Sequence, residues 1–85
     1  MTAVDPGPEI AGFLKSSFPG LAIADEDDIF ARGIANSLFT IQLIIFIEQR
    51  FALAIPNSEL ELDNFRTVKA MTALVERLVR ARADV

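Results

Sequence analysis

Residues 36–51, which read NSLFTIQLIIFIEQRF, decide the fold because they form the clearest helical pattern in the chain. Asn36 is a favoured N-cap residue, since its side chain can accept a hydrogen bond from a first-turn N–H that has no intrahelical partner. At about 100° per residue, one core-facing stripe contains Thr40, Leu43, Ile44, Ile47 and Phe51. We therefore predict a helix from Ser37 to about Phe51 with Asn36 as its cap.

The same helix has a second apolar face, formed by Leu38, Ile41 and Ile45. Polar side chains frame this face: Ser37, Gln42, Glu48 and Gln49. A chain with only three long helices cannot surround a central helix completely, so we expect the second face to contact a partner protein. The alternative is that the long loop before the helix covers it. Phe39 and Phe46 lie on a third side and are expected to pack under a neighbouring element.

A first helix is predicted from residue 8 to residue 18, after a frayed lead-in of residues 1–7. Pro8 suits the first turn of a helix, and Pro19-Gly20 ends it. The apolar side chains of this segment have helical spacing: Ile10, Phe13, Leu14 and Phe18. Residues 19–36 form a long connection that is too apolar for a solvated linker, so we expect it to pack across the core.

The acidic run Asp25-Glu26-Asp27-Asp28 has two interpretations. It either caps a short turn that directs Ile29 and Phe30 inward, or it forms a solvated loop. Residues 1–30 contain six acidic side chains and one basic, whereas residues 66–85 contain two acidic and five basic. We expect these oppositely charged segments to pair within the fold rather than with a partner.

Two further helical segments follow Pro56. Residues 58–65 are predicted to hold a short helical turn anchored by Leu60, Leu62 and Phe65. A last helix is predicted from residue 67 to residue 82, and its apolar set is Val68, Met71, Leu74, Val75, Leu78 and Val79. The sequence therefore predicts a single all-α domain over residues 1–85: a small bundle of three main helices and one short helix, with a long first loop.

The composition excludes several kinds of function. The chain has 85 residues without cysteine or histidine, so it can form neither a Ser-His-Asp triad nor a zinc site with thiolate or imidazole ligands, and we predict that it is not an enzyme and binds no metal. The 12 acidic and 8 basic side chains give a net charge of −4, which argues against nucleic-acid binding. With 52% hydrophobic residues, the chain has more apolar side chains than so small an interior can hold, which also favours a partner surface.

Nothing in the sequence indicates a membrane protein. The apolar run from Leu43 to Ile47 is far shorter than the ~20 residues that span a bilayer. The first residues lack the basic start and apolar run of a secretory signal. We therefore expect a cytoplasmic protein. We also expect it to be a monomer.

Ser37 is a candidate modification site because of its place at a helix start. Free N–H groups and the helix dipole make an N-terminus favourable for a phosphate, so a phosphodiester on this hydroxyl would be stabilised. Nothing in the chain can activate Ser37 as a nucleophile, so another enzyme must attach the group.

Several segments together resemble acyl carrier proteins over nearly the whole chain. They are Asp28-Ile29-Phe30, Gly33-Ile34-Ala35-Asn36-Ser37-Leu38, Glu48-Gln49-Arg50-Phe51, the Leu60–Phe65 turn and the last helix. The resemblance implies an acyl-carrier-like bundle with 4′-phosphopantetheine attached to Ser37 by a phosphopantetheinyl transferase. It also implies that the arm's thiol, and no residue of the chain, holds the acyl group as a thioester.

Two departures from the family pattern bear on recognition. Asn36 replaces the usual Asp before the serine, so one negative charge at the transferase docking point is lost while the cap is kept. The predicted second helix is also less acidic than in fatty-acid carriers. We expect partner contacts through a surface of six residues: Leu38, Ile41, Gln42, Ile45, Glu48 and Gln49.

The run from Gly33 to Leu43, with Asp63-Asn64-Phe65, resembles free-standing carriers for unusual polyketide extender units such as methoxymalonyl, hydroxymalonyl or aminomalonyl thioesters. This resemblance implies four kinds of partner: a loading enzyme for an acyl or glyceryl group, dehydrogenases, a methyltransferase and a polyketide synthase acyltransferase. Two alternatives remain open: a discrete aminoacyl carrier, and an unmodified helical domain for protein–protein interaction or dimerisation. A DNA-binding module is disfavoured by the acidic first half of the chain.

Overall fold

The computed structural model describes residues 5–83, which form three α-helices and two short 3-10 turns. Helix α1 is Pro6–Ser17, α2 is Ser37–Arg50 and α3 is Val68–Ala83. The predicted short helix is instead a pair of 3-10 turns at Asn57–Glu59 and Leu62–Phe65. The described residues contain no strand, and the all-α prediction is confirmed. None of the helices described is both long enough and apolar enough to cross a bilayer.

Helix α1 begins earlier than predicted. The side chain of Asp5 caps it by accepting a hydrogen bond from the Gly7 N–H at 3.2 Å, and Pro6 occupies the first helical position, where its missing N–H costs nothing. Both Pro6 and Gly7 are buried, and a Cβ on Gly7 would lie 3.5 Å from Oγ1 of Thr72 on α3. Residues 5–7 are therefore part of the packed structure rather than frayed, and residues 1–4 lie outside the described residues.

The core draws on all three helices and confirms the predicted stripes. Its most completely buried side chains are Ile10, Leu14, Ile29, Leu43, Ile47, Phe65, Val68, Met71, Leu74 and Val75. Thr40 and Ile44 at the edge of the α2 stripe are half-buried, and Val79 near the end of α3 is exposed. The first two turns of α3 therefore supply most of its core contacts.

The prediction that Leu60 and Leu62 anchor the short turn is wrong. Their side chains are 44% and 50% exposed, whereas Phe65 is 2% exposed and belongs to the core. Leu60 follows the first 3-10 turn and Leu62 begins the second, so Leu60, Leu62 and Phe65 do not lie on one continuous helix as the prediction assumed. Asn64 fixes the turn by donating from Nδ2 to the backbone oxygen of Glu59 at 2.7 Å.

The long first loop is packed, as expected, and Asp28 caps a turn in it. The Asp28 carboxylate accepts hydrogen bonds from the N–H groups of Phe30 and Ala31, each at 3.0 Å. This turn directs Ile29 fully into the core, and the Ile29 N–H donates to the backbone oxygen of Arg66 at 2.8 Å. The interpretation of Asp28 as a turn cap is correct, while Asp25 and Glu26 of the same run are exposed.

Charge pairing within the fold links the acidic loop to the start of α3, as predicted. Arg66 forms ion pairs with Asp28 at 3.3 Å and Asp63 at 2.7 Å, and Lys69 lies 3.6 Å from Glu26. The backbone hydrogen bonds to Ala31 and Phe30 and the charge of Arg66 hold the pKa of Asp28 below its usual range, against a smaller opposing effect of burial. The loop is thus held at several points before it reaches α2.

The turn that follows α2 contains a residue in the left-handed conformation that is not glycine. Ala52 has φ of 52°, and the Leu53 N–H donates to the backbone oxygen of Glu48 at 3.1 Å, which is the Schellman pattern of helix termination. The guanidinium of Arg82 donates to the backbone oxygen of Ala52. The turn after α2 is therefore tied to α3.

Candidate functional site

Ser37 is the first residue of α2, as predicted, and its side chain is exposed. Asn36 is the N-cap: its Oδ1 accepts from the Phe39 N–H at 2.9 Å. The backbone oxygen of Asn36 accepts both the Thr40 N–H at 2.9 Å and the Thr40 hydroxyl at 2.8 Å. These three hydrogen bonds fix the start of α2, so the position of Ser37 is set by the helix itself.

The loop before α2 brings the chain to this start through a tight turn. Gly33 has φ of 76°, a conformation that glycine adopts without strain. The N–H groups of Ile34 and Ala35 both donate to the backbone oxygen of Ile29, at 2.9 and 3.0 Å. Because Ile29 is fully buried, this contact anchors the residues before Ser37 to the core.

The start of α2 at Ser37 can accommodate a phosphodiester. The N–H groups of Ser37 and Leu38 have no partner within the helix, because they precede its first backbone hydrogen bond. No acidic side chain lies in the first turn of α2 to repel an anion. The helix dipole favours negative charge at this end. The exposed hydroxyl of Ser37 is open to an external enzyme, and the chain has no histidine or cysteine that could activate it.

The second apolar face of α2 is open to solvent. Leu38, Ile41 and Ile45 are 68%, 53% and 48% exposed, so the long loop does not cover them and that alternative is excluded. We call these three residues the α2 strip. Apolar side chains of this size are seldom left together on a surface without a function.

An open depression of about 300 Å³ borders the α2 strip. Its lining combines Ile45 of the strip with Gln42, Phe46 and Gln49 from α2 and Phe13 from α1. The two glutamines are exposed, whereas both phenylalanines are half-buried. The depression thus has an aromatic and aliphatic lining, two primary amides and no charged residue.

Five phenylalanine rings form a continuous seam between α1 and α2. Phe13 stacks on Phe46 and Phe39, with ring centroids 4.3 and 5.9 Å apart. Phe18 meets the edge of Phe39 at 5.1 Å, and Phe46 meets the edge of Phe51 at 6.5 Å. The expectation that Phe39 and Phe46 pack under a neighbouring element is confirmed, and that element is α1.

The charged residues of α2 are occupied within the fold. No charged residue occurs from Ser37 to Ile47. One carboxylate oxygen of Glu48 accepts from the Ile55 N–H at 2.9 Å, and Arg50 forms an ion pair with Glu9 of α1 at 2.9 Å. Sequence reasoning missed this structural role of Glu48, because the residue it binds lies in an irregular segment without a recognisable pattern. The contact of Glu48 with a partner protein stays a prediction.

Within residues 5–83, no group of three or more acidic side chains is arranged to hold a metal ion. The groups that can bind an anion are instead the backbone N–H donors at the start of α2.

Comparisons with known proteins give D-alanyl carrier proteins among the relatives, although no family model matches the chain. The D-alanyl carrier protein of Streptococcus pyogenes serotype M5 is 36% identical over 56 residues, which cover 66% of this chain and 71% of that protein. The D-alanyl carrier protein of Leuconostoc mesenteroides subsp. mesenteroides is 33% identical over 54 residues, covering 64% and 69%.

A solved structure shares the fold. It is a chain in the crystal structure of the Bradyrhizobium japonicum glycine:[carrier protein] ligase complexed with glycylated carrier protein, with a TM-score of 0.65 and 20% sequence identity. The match covers 80% of this chain and 90% of that chain.

Proposed function

The chain belongs to the carrier-protein family, and we propose that it bears a 4′-phosphopantetheine arm on Ser37 and holds small acyl groups on that arm as thioesters. The observation that carries this proposal is the exposed Ser37 hydroxyl at the capped start of α2. When attached, the arm supplies the thiol that the chain lacks. The protein itself acts as a tethered substrate for partner enzymes, as carrier proteins do, and not as a catalyst.

The residues around Ser37 have distinct parts in this function. Asn36 holds the start of α2 by accepting from the Phe39 N–H, so that the attachment point keeps one orientation. The unpaired N–H groups of the first turn and the helix dipole stabilise the charge of the phosphodiester. A tethered cargo is presented to successive enzymes at an effective concentration that free substrate does not reach.

The proposed partner surface is the α2 strip together with Gln42, Glu48 and Gln49. Its exposed apolar side chains and the absence of charge from Ser37 to Ile47 favour recognition by apolar contact and amide hydrogen bonds. The proposed partners are a phosphopantetheinyl transferase, an acyl- or glyceryl-loading enzyme, dehydrogenases or a methyltransferase that act on the tethered group, and a polyketide synthase acyltransferase.

Two small polar cargoes are supported by different observations. The resemblance of the Gly33–Leu43 run and Asp63-Asn64-Phe65 to discrete extender-unit carriers supports a polyketide extender unit such as methoxymalonyl. The names of the relatives, which are D-alanyl carrier proteins, support a small aminoacyl group as the second candidate.

The attachment site is tested by intact mass after incubation with coenzyme A and a phosphopantetheinyl transferase. Wild-type protein is expected to gain one arm and Ser37→Ala none. Ser58→Ala is the matched control, because Ser58 is an exposed serine in the first 3-10 turn, and it should gain the arm as wild type does. A wild-type mass that never changes, together with a stable dimer in sedimentation, would instead identify an unmodified dimerisation domain.

The cargo is tested on the arm-bearing protein. It is incubated separately with a glyceryl-loading enzyme and with adenylating enzymes for alanine and glycine, and the mass of the arm is read after each reaction. Loading by the glyceryl enzyme alone supports the extender-unit function. Loading only by an amino-acid enzyme supports the aminoacyl carrier and contradicts the extender-unit assignment.

A further inference from the structure

We propose that Arg66 is a positioning residue for the modification of Ser37, because it holds the loop segment before α2 in one form beside the serine. This inference rests on the proposed attachment site, but it assigns a role to a residue that lies outside α2 and its cap. The segment concerned is residues 28–35, which we call the approach loop.

Arg66 contacts three successive residues of the approach loop through three different groups. Its Nη1 atom lies 3.3 Å from Oδ2 of Asp28 and forms an ion pair with it. Its backbone oxygen accepts the N–H of Ile29 at 2.8 Å. Its guanidinium carbon lies 5.9 Å from the centre of the Phe30 ring, within the range of a cation–π contact. The start of the approach loop is therefore fastened to the segment before α3.

Hydrogen bonds extend this hold along the approach loop towards Ser37. Four successive N–H groups donate to the backbone oxygens of residues 28–30 at 2.9 to 3.0 Å: those of Arg32, Gly33, Ile34 and Ala35. The last of these residues directly precedes the cap Asn36. Every residue from 32 to 35 is thus bound to one of the three residues that Arg66 contacts.

The approach loop lies where an enzyme that modifies Ser37 docks. Ala31, Arg32 and Gly33 are exposed. Gly33 is at most about 15 Å from Ser37, because four Cα steps of about 3.8 Å separate them. An interface of ordinary size covers about 800 Å² on each partner, which is a patch of roughly 16 Å radius. A transferase centred on the serine hydroxyl therefore contacts the approach loop as well as α2.

The role of Arg66 is separate from that of the cap. Asn36 fixes the start of α2, so Ser37 keeps its place even when the approach loop loosens. A loosened loop lowers the apparent affinity of a partner by the fraction of molecules whose loop has the bound form. The ion pair and the cation–π contact involve exposed groups and are individually weak, so their loss should lower that fraction by about two- to fivefold. The effect should appear in KM and not in kcat, because the reacting atoms are unchanged.

The test measures phosphopantetheinyl transfer with coenzyme A in excess, while the concentration of the carrier is varied. Arg66→Gln keeps the backbone oxygen that binds Ile29, and it should raise KM by about two- to fivefold with kcat unchanged. Arg77→Gln is the matched control, because it removes the same charge from a side chain that is 45% exposed where that of Arg66 is 40% exposed. Arg77 pairs with Glu59 and not with the approach loop, so this variant should keep the wild-type KM. An unchanged KM in Arg66→Gln, or an equal rise in both variants, would overturn the inference.

A double-mutant cycle tests whether Arg66 acts through Asp28. In Asp28→Asn the side-chain oxygen still accepts the N–H groups of the turn, but the ion pair is lost. Because the two residues share that pair, the rise of KM in the double variant should be smaller than the product of the two single rises. Single effects that multiply in the double variant would overturn the inference.

Amide hydrogen exchange in the unmodified protein gives a readout that does not need the transferase. The N–H groups of Gly33, Ile34 and Ala35 should exchange about two- to fivefold faster in Arg66→Gln than in wild type, whereas that of Ile47 in the core of α2 should not change. Equal exchange of the loop N–H groups in the two proteins would overturn the inference. A wild-type protein that gains no arm would instead contradict the proposed function.

Discussion

Replacing Asn36 with aspartate tests whether an anion is attached beside the start of α2. The introduced carboxylate would accept from the Phe39 N–H as the native side chain does at 2.9 Å, so the cap is retained. The first turn of α2 contains no acidic side chain of its own, so the new charge would interact with the helix dipole without competition. Such a charge contributes about 0.3–1 kcal/mol at low ionic strength. We therefore expect Asn36→Asp to stabilise the unmodified protein by this amount.

The arm-bearing protein should lose most of this gain. The phosphodiester on the adjacent Ser37 carries one negative charge, and two unit charges about 6 Å apart in water repel by about 0.7 kcal/mol. The repulsion is comparable to the gain from the dipole, so the free energy of unfolding should change by about zero when Asn36→Asp is made in the modified protein.

Urea unfolding of both forms, each verified by intact mass, measures the two changes. Asn36→Ser is the matched control, because it keeps a neutral cap and should shift both forms by only a few tenths of a kcal/mol. Equal stabilisation of the unmodified and modified forms by Asn36→Asp would refute the reasoning, since the attached phosphate would then lie away from the start of α2.

Three further outcomes follow from the structure. Ala52→Gly should raise the free energy of unfolding by about 0.5–1 kcal/mol and the melting temperature by about 2–8 °C, because glycine removes the strain of φ 52°. The control is Ala54→Gly, since Ala54 is exposed and its φ is not positive. A loss of stability in both glycine variants would contradict the strain at Ala52. Because the pKa of Asp28 is lowered in the folded protein, its carboxylate should contribute stability above pH 3.8, the ordinary pKa, and this stability should be lost as the pH falls through the lower pKa of the folded state. The melting temperature of Asp28→Asn should therefore depend less on acid pH than that of wild type. Equal dependence in the two proteins would contradict this prediction. Finally, KM for enzymatic loading should change by less than about twofold between about 50 and 500 mM salt, because α2 has no charge from Ser37 to Ile47. A steep rise of KM with salt would point to a charged docking surface elsewhere.

The sequence alone predicted the start of α2 closely. Asn36 and Ser37 were identified from cap chemistry and periodicity, which depend on neighbouring residues only. The exposed α2 strip followed from counting helices, since too few elements exist to bury a helix that is apolar on several sides. The family resemblance agreed with these residues.

The features that sequence reasoning missed depend on contacts between distant residues. Arg66 pairs with Asp28, 38 positions away, and no local pattern distinguishes this arginine from the others. The role of Glu48 depends on how the chain turns after α2. Leu60, Leu62 and Phe65 were all assigned to the core by their apolarity, but of these three only Phe65 is buried there. Local chemistry therefore located the start of α2 at Ser37, and tertiary packing decided which flanking side chains stay free.

The phenylalanine seam gives the molecule a built-in optical reporter. The chain has seven phenylalanines and neither tyrosine nor tryptophan, so its near-ultraviolet circular dichroism arises from phenylalanine alone. Five of the seven rings belong to the seam, and Phe13 and Phe46 also line the depression. A change in α1–α2 packing on modification, loading or partner binding can therefore be followed in the unlabelled protein, once the partner's own near-ultraviolet signal has been subtracted.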